Sequence, residues 1–186
     1  MGVLTKARGG ESRRMVPAEV EEDSEQHQFL TFSVAGEAYA IGILNIKEII
    51  KFTQVTPVPL LPTFIRGVIN LRGEVVPVID LAARFGHPLV SQTRSTCVVI
   101  LDLITESEHL SVGVLVESVS EVVEIPPQNI GPAPAFGAKI RTDFIEGMGK
   151  LESGFVILLD IAKVFSMDEI AALAQAGPKN FDRSQV

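Results

Sequence analysis

The sequence predicts an all-β protein made of two small repeated β units, and three observations predict it. First, 46% of the chain is hydrophobic but only 6% is aromatic, and there is no Trp. The core must then be built from Val, Ile and Leu, and β-branched side chains favour strands. Second, the apolar residues come in short runs separated by Gly, Pro and polar clusters, as strands do. Third, one stretch is written twice. Phe64-Ile65-Arg66-Gly67 returns as Phe144-Ile145-Glu146-Gly147, Leu71 as Leu151, Val76 as Val156, Asp80-Leu81-Ala82 as Asp160-Ile161-Ala162 and Phe85 as Phe165, eighty positions on and without a gap. Upstream, Ile41-Gly42-Ile43-Leu44 is matched by Val112-Gly113-Val114-Leu115, and Ile46-Lys47-Glu48-Ile49-Ile50 by Val119-Ser120-Glu121-Val122-Val123. Each unit alone is too small to bury a full core.

Taken in order, residues 1–26 read as a disordered tail. A basic head (Lys6, Arg8, Arg13, Arg14) precedes an acidic neck (Glu19, Glu21, Glu22, Asp23, Glu25), with few large apolar residues to order either. Leu30, Phe32 and Val34 alternate with Phe29, Thr31 and Ser33, which predicts a strand. Ala35-Gly36-Glu37 is a turn, Tyr39 to Leu44 a second strand and Ile46 to Val55 a third. Pro57, Pro59 and Pro62 forbid regular pairing, so Thr56 to Thr63 is expected to be an extended crossover. Two apolar runs then flank Arg72-Gly73, a hairpin whose tip needs the positive φ that Gly73 supplies. Asp80 has the chemistry to cap a short helix from Leu81 to Phe85, which Gly86 and Pro88 stop. His87 to Arg94 is a loop.

The second unit opens with Cys97 to Leu101, a continuous apolar run typical of a strand covered on both sides. Glu106 to His109 is a polar hairpin loop, followed by strands at Leu110 to Val116 and Val119 to Ile125 and a proline-rich crossover from Pro126 to Pro134. The second hairpin has its tip at Ser153-Gly154, and Asp160 caps a second short helix. Gly67 and Gly147 are read with these turns and caps as structural positions. Ser166 and Glu169 form a capping box before a helix from about Met167 to Gln175, and residues 173–186 are the end of that helix and a loose tail.

Charge and chemistry narrow the function. A net charge of −7 argues against a nucleic-acid partner, which needs a clustered basic surface. The single cysteine, Cys97, excludes an internal disulfide and fits a reducing compartment. No apolar run is long enough to span a bilayer, and no signal peptide is present, so a cytoplasmic protein without direct membrane insertion is expected. His27, His87 and His109 have no spacing that would gather a metal. Asp80 and Asp160 read as caps rather than a catalytic pair, and no phosphate-binding glycine loop is present. No enzyme activity, metal or cofactor is expected.

Asn70-Leu71-Arg72-Gly73 and Pro77-Val78-Ile79-Asp80-Leu81, following Ile46-Lys47-Glu48-Ile49 and Phe64-Ile65-Arg66-Gly67, closely resemble the CheW coupling proteins of bacterial chemotaxis over residues 27–172. The resemblance implies two five-stranded SH3-like barrels with an apolar groove between them and a C-terminal helix. It also implies a non-catalytic adaptor that joins the regulatory domain of the histidine kinase CheA to the cytoplasmic tips of chemoreceptors, at membrane-associated arrays. A coupling protein of a parallel pathway, such as twitching motility or biofilm signalling, is the near alternative, and a small-ligand-binding β-barrel the distant one. Arg72 and Asn70 at the hairpin tip, with Ile46, Glu48 and Ile49 on the third strand, are the candidate receptor and kinase contacts. Val98, Val112 and Val119 join them if the units pack face to face, since they would then line the seam.

Overall fold

In a computed structural model the described residues are 25–104, 106, 109–134, 140–165 and 169. They hold eleven strands and two short helices: β1 Gln28–Val34, β2 Glu37–Gly42, β3 Ile46–Lys51, β4 Ile65–Leu71, β5 Glu74–Asp80, α1 Leu81–Arg84, β6 Cys97–Ile104, β7 His109–Val116, β8 Ser118–Glu124, β9 Ile130–Gly131, β10 Ile145–Leu151, β11 Gly154–Leu159 and α2 Ile161–Val164. The protein is all-β, with the strands in two sheets. The basic head and most of the acidic neck, Ser166, and the expected helix from Met167 to Gln175 apart from Glu169 lie outside the described residues.

The five-stranded sheet runs β3-β6-β7-β5-β4 and the six-stranded sheet β8-β1-β2-β11-β10-β9. The repeat units are therefore not the sheets. In the first sheet the β4–β5 hairpin of the first unit pairs in parallel with β7 of the second, Val78 to Gly113 and Asp80 to Leu115. In the second, β11 pairs in parallel with β2, Ile157 to Tyr39 and Leu158 to Ala40. One sheet thus comes from the continuous segment 46–116, and the other from the chain on either side of it.

Both sheets come round in the same way. After β3 the chain leaves β6 and crosses to β4. There Thr56 N–H donates to the Val68 carbonyl at 2.9 Å, and Val68 N–H returns to the Thr56 carbonyl at 2.8 Å. After β8 the chain does the same against β10 through β9. This crossing is why β3 stops at Lys51 and not at Val55. It also explains Gly67, which lies in β4 and not in a turn. A Cβ there would run into the Thr56 carbonyl. Gly147 sits at the matching place in β10, where a Cβ would come within 2.8 Å of the Gly131 carbonyl.

The hairpins agree pair for pair. Ile65 opposes Ile79 and, after a bulge, Gly67 opposes Val78, continuing to Leu71 against Glu74. Ile145 opposes Leu159 and, after the same bulge, Gly147 opposes Leu158, continuing to Leu151 against Gly154. The second tip is accordingly Glu152-Ser153, one residue earlier than expected, and Gly154 opens β11. Asp80 accepts from Ala83 N–H at 3.1 Å and Asp160 from Lys163 N–H at 3.3 Å, so both cap their helices.

The larger apolar cluster draws on both sheets, from Phe32, Tyr39 and Ile41 to Val99, Ile100 and Leu115, and includes Phe144 and Phe165. A smaller cluster (Phe29, Ala40, Ile125, Val156, Leu158) lies within the six-stranded sheet. Residues 98–101 are all buried, as a strand covered on both sides requires.

Candidate functional site: the β3 edge and the first hairpin tip

β3 is an edge strand of its sheet. Its residues alternate as a half-buried strand must: Ile46, Glu48 and Ile50 turn inward and Lys47, Ile49 and Lys51 outward. The hairpin tip lies against this edge, joined to it by two ion pairs. Arg72 Nη2 is 2.8 Å from Glu48 Oε2, and Lys47 Nζ is 3.5 Å from Glu74 Oε2. Arg72 and Gly73 have φ of +53° and +86°, the combination a two-residue tip of the primed type needs. Asn70 holds it by accepting from Gly73 N–H through Oδ1 at 2.9 Å.

The Arg72–Glu48 pair is asymmetric. The arginine side chain is 77% exposed and the glutamate 20%. Glu48 Oε1 is buried with no hydrogen-bond partner among the described residues. Arg72 has five N–H donors, and its exposure leaves the guanidinium accessible to another molecule. Ile49, 43% exposed, puts an apolar side chain on the same edge. The repeat counterparts of Arg72 and Glu48 are Glu152 and Glu121. Two carboxylates cannot make this pair, so it belongs to one barrel only.

The structure thus brings Glu48, Asn70 and Arg72 together at the hairpin tip, with Ile49 on the outward side of the same strand. Ile46 is half-buried at the root of that strand, against the larger cluster. Val119 is on β8, the edge strand of the other sheet, opposite Phe32. Val98 and Val112 are corrections. At 1% and 0% exposure they are interior residues and offer a partner no surface. A strand buried on both faces lacks the alternation that would have separated an inner from an outer valine.

Sequence reasoning missed three features. Arg66 donates through Nη1 to Asp80 Oδ2 at 2.9 Å, and Val90 N–H donates to the same oxygen at 2.9 Å. The capping carboxylate is therefore fully buried yet satisfied. Arg84 reaches from α1 into the other barrel, donating through Nε to the Val164 carbonyl at 2.8 Å and through Nη2 to Glu169 at 3.0 Å. Its guanidinium carbon lies 5.1 Å from the Phe64 ring centre and 4.9 Å from that of Phe144. Phe64 and Phe144 are repeat counterparts, and so are Arg84 and Val164. The available signal was an arginine standing where its copy has a valine. Tyr39 is the third. Its hydroxyl is buried without a partner among the described residues, and burial, then nearby Glu37, pushes its pKa up to about 12. No helix among the described residues is long and apolar enough to cross a membrane.

Comparison with known proteins places this geometry in a lineage. The family model described as "CheW-like domain" matches residues 28–169. The chemotaxis protein CheW of Klebsiella aerogenes is 39% identical over 144 residues, covering 77% of this chain and 84% of that one. The CheW of Treponema pallidum is 30% identical over 161 residues, covering 87% and 94%. The crystal structure of the scaffolding protein TtCheW from Thermoanaerobacter tengcongensis matches with a TM-score of 0.69 at 31% identity, over 77% of this chain and 90% of that one.

Proposed function

The chain belongs to the CheW-like family of chemotaxis scaffold proteins, and from that premise we propose that it couples chemoreceptors to the histidine kinase CheA. In this reading the β3 edge and the Arg72 tip meet the receptor's cytoplasmic helical hairpin. A barrel edge meets the regulatory domain of the kinase, catalysis belongs to the kinase, and the protein works in the cytoplasm at receptor arrays. The observation that carries it is the Arg72–Glu48 pair. It holds an exposed guanidinium over a carboxylate whose other oxygen lacks a partner among the described residues, on an edge strand with an exposed Ile49. Such an edge can take a partner through main-chain bonds, an apolar anchor and a charge-assisted contact together.

Arg72→Ala tests it. The arginine is mostly in water, so its ion pair should contribute no more than about 1 kcal/mol to folding. Its loss at a partner interface should cost about 1.5–3 kcal/mol, or roughly ten- to a hundredfold in affinity. Chemical denaturation and receptor-dependent kinase activation are measured on the same variant. Activation like that of the unmodified chain, or a deficit no larger than the folding loss explains, would sink the proposal.

A further inference from the structure

Asp80 and Asp160 cap equivalent helices in surroundings of opposite sign. Asp80 is neutralised by Arg66. The residue eighty positions on from Arg66 is Glu146, whose carboxylate makes no hydrogen bond or ion pair to any described residue. Burial, and then Asp160, raise its carboxyl above the ordinary range. Lys163 approaches Asp160 only to 3.9 Å, with its own side chain 65% exposed. Glu146 and Asp160 open onto a cleft of about 1120 Å³ between the two sheets, which Glu25, Asp102 and Glu106 also line and, among the described residues, no Lys or Arg does. Its apolar rim is exposed, Leu44 at 57% and Ile104 at 78%.

We propose that this cleft is a docking site for an arginine-bearing segment and that its occupant is the chain's own basic stretch from Lys6 to Arg14. Three observations select that occupant. The described chain begins at Glu25, itself a cleft residue. Arg14 stands eleven positions earlier, a length that spans up to about 36 Å when extended. The stretch carries Lys6, Arg8, Arg13 and Arg14 against one acid, Glu11, and Met15-Val16 follows as an apolar match for Leu44 and Ile104. The first barrel supplies the template, because a guanidinium beside Asp160 would stand where that of Arg66 stands beside Asp80. Glu19, Glu21, Glu22 and Asp23 carry the cleft's own sign, so charge favours the basic head over the connecting chain as the occupant.

The test uses the full chain with Cys97→Ser and a nitroxide on Ser12→Cys, read through the backbone amides of Ile104, Gly147 and Ile161. At low salt these amides should lose most of their intensity. They should recover it at high salt, where exposed charges are screened, and in Glu146→Arg, which rebuilds the pair of the first barrel. Glu152→Arg makes the same charge change away from the cleft and should leave the attenuation in place. Arg13→Glu with Arg14→Glu alters no residue of the barrels and should abolish it, which keeps the test sound if Glu146→Arg folds poorly. Undisturbed amides in the otherwise unmodified chain, attenuation that survives the Arg13 and Arg14 reversal, or equal recovery from Glu152→Arg would each overturn the proposal.

Discussion

At the scale of the residue, Tyr39 is the clearest liability. Its hydroxyl has lost water and meets no partner among the described residues, a loss of roughly 1–3 kcal/mol for an unsatisfied buried group. The folded state holds the phenolic proton more tightly than the unfolded chain, whose value is near 10.0. The stability this contributes is complete below pH 10 and disappears as pH rises toward 12. An upward shift of that size corresponds to about 2–3 kcal/mol. Denaturation midpoints should therefore fall steeply between these pH values and stay flat in Tyr39→Phe, which should equal or exceed the unmodified chain at pH 7. Because Tyr39 is the sole tyrosine, tyrosinate absorbance reports it without overlap. Titration near pH 10 in the folded protein would contradict the burial argument. None of this was legible beforehand. In the sequence Tyr39 reads only as the start of a strand, and strand pattern does not say whether a hydroxyl finds a partner.

At the scale of the element, the two hairpins show how far a repeat can be read. Six pairings and one bulge coincide at an offset of eighty, because a gapless copy preserves every inward and outward position. The tip residues did not need to be copied, and they differ. Arg72 occupies a positive φ that a non-glycine residue tolerates only at an energetic penalty of roughly 1–2 kcal/mol. A side chain needed only for the turn would be Asn or Gly. Arg72→Gly should therefore be more stable than Arg72→Ala by about 1 kcal/mol, while being equally defective in kinase activation. Equal stabilities in urea denaturation would show that the tip stores no strain. Charge and turn chemistry mark Glu48, Asn70 and Arg72 in the sequence, and the structure makes them neighbours; their role as a partner contact is the proposal. The candidate site was misread at Val98 and Val112, where both faces of the strand are apolar.

At the scale of the whole molecule, the exchange of strands makes one body of two barrels. Nothing in the apolar pattern states which hairpin β2 or β7 will join, since any strand with a buried face satisfies it. The repeat therefore gave the units but not their pairing. The larger cluster crosses from sheet to sheet, and Arg84 fastens the barrels where its guanidinium lies near the rings of both Phe64 and Phe144. Arg84→Met would leave the Val164 carbonyl without its donor and remove two ring contacts, lowering stability by about 2–3 kcal/mol. Arg84→Lys should recover little, because an ammonium cannot stack between two rings while donating in two directions. A loss below 1 kcal/mol in chemical denaturation would remove Arg84 from that role. A rigid joint is what a coupling scaffold requires, and the proposed receptor face must act through its chemistry and not merely through the fold it stabilises. The charge-swapped double variant Glu48→Arg with Arg72→Glu separates these most directly. It should restore the denaturation midpoint lost in Arg72→Glu alone yet leave receptor-dependent kinase activation as low as in that single variant. Recovery of activation together with stability would contradict the assignment and reduce the pair to a brace within its own barrel.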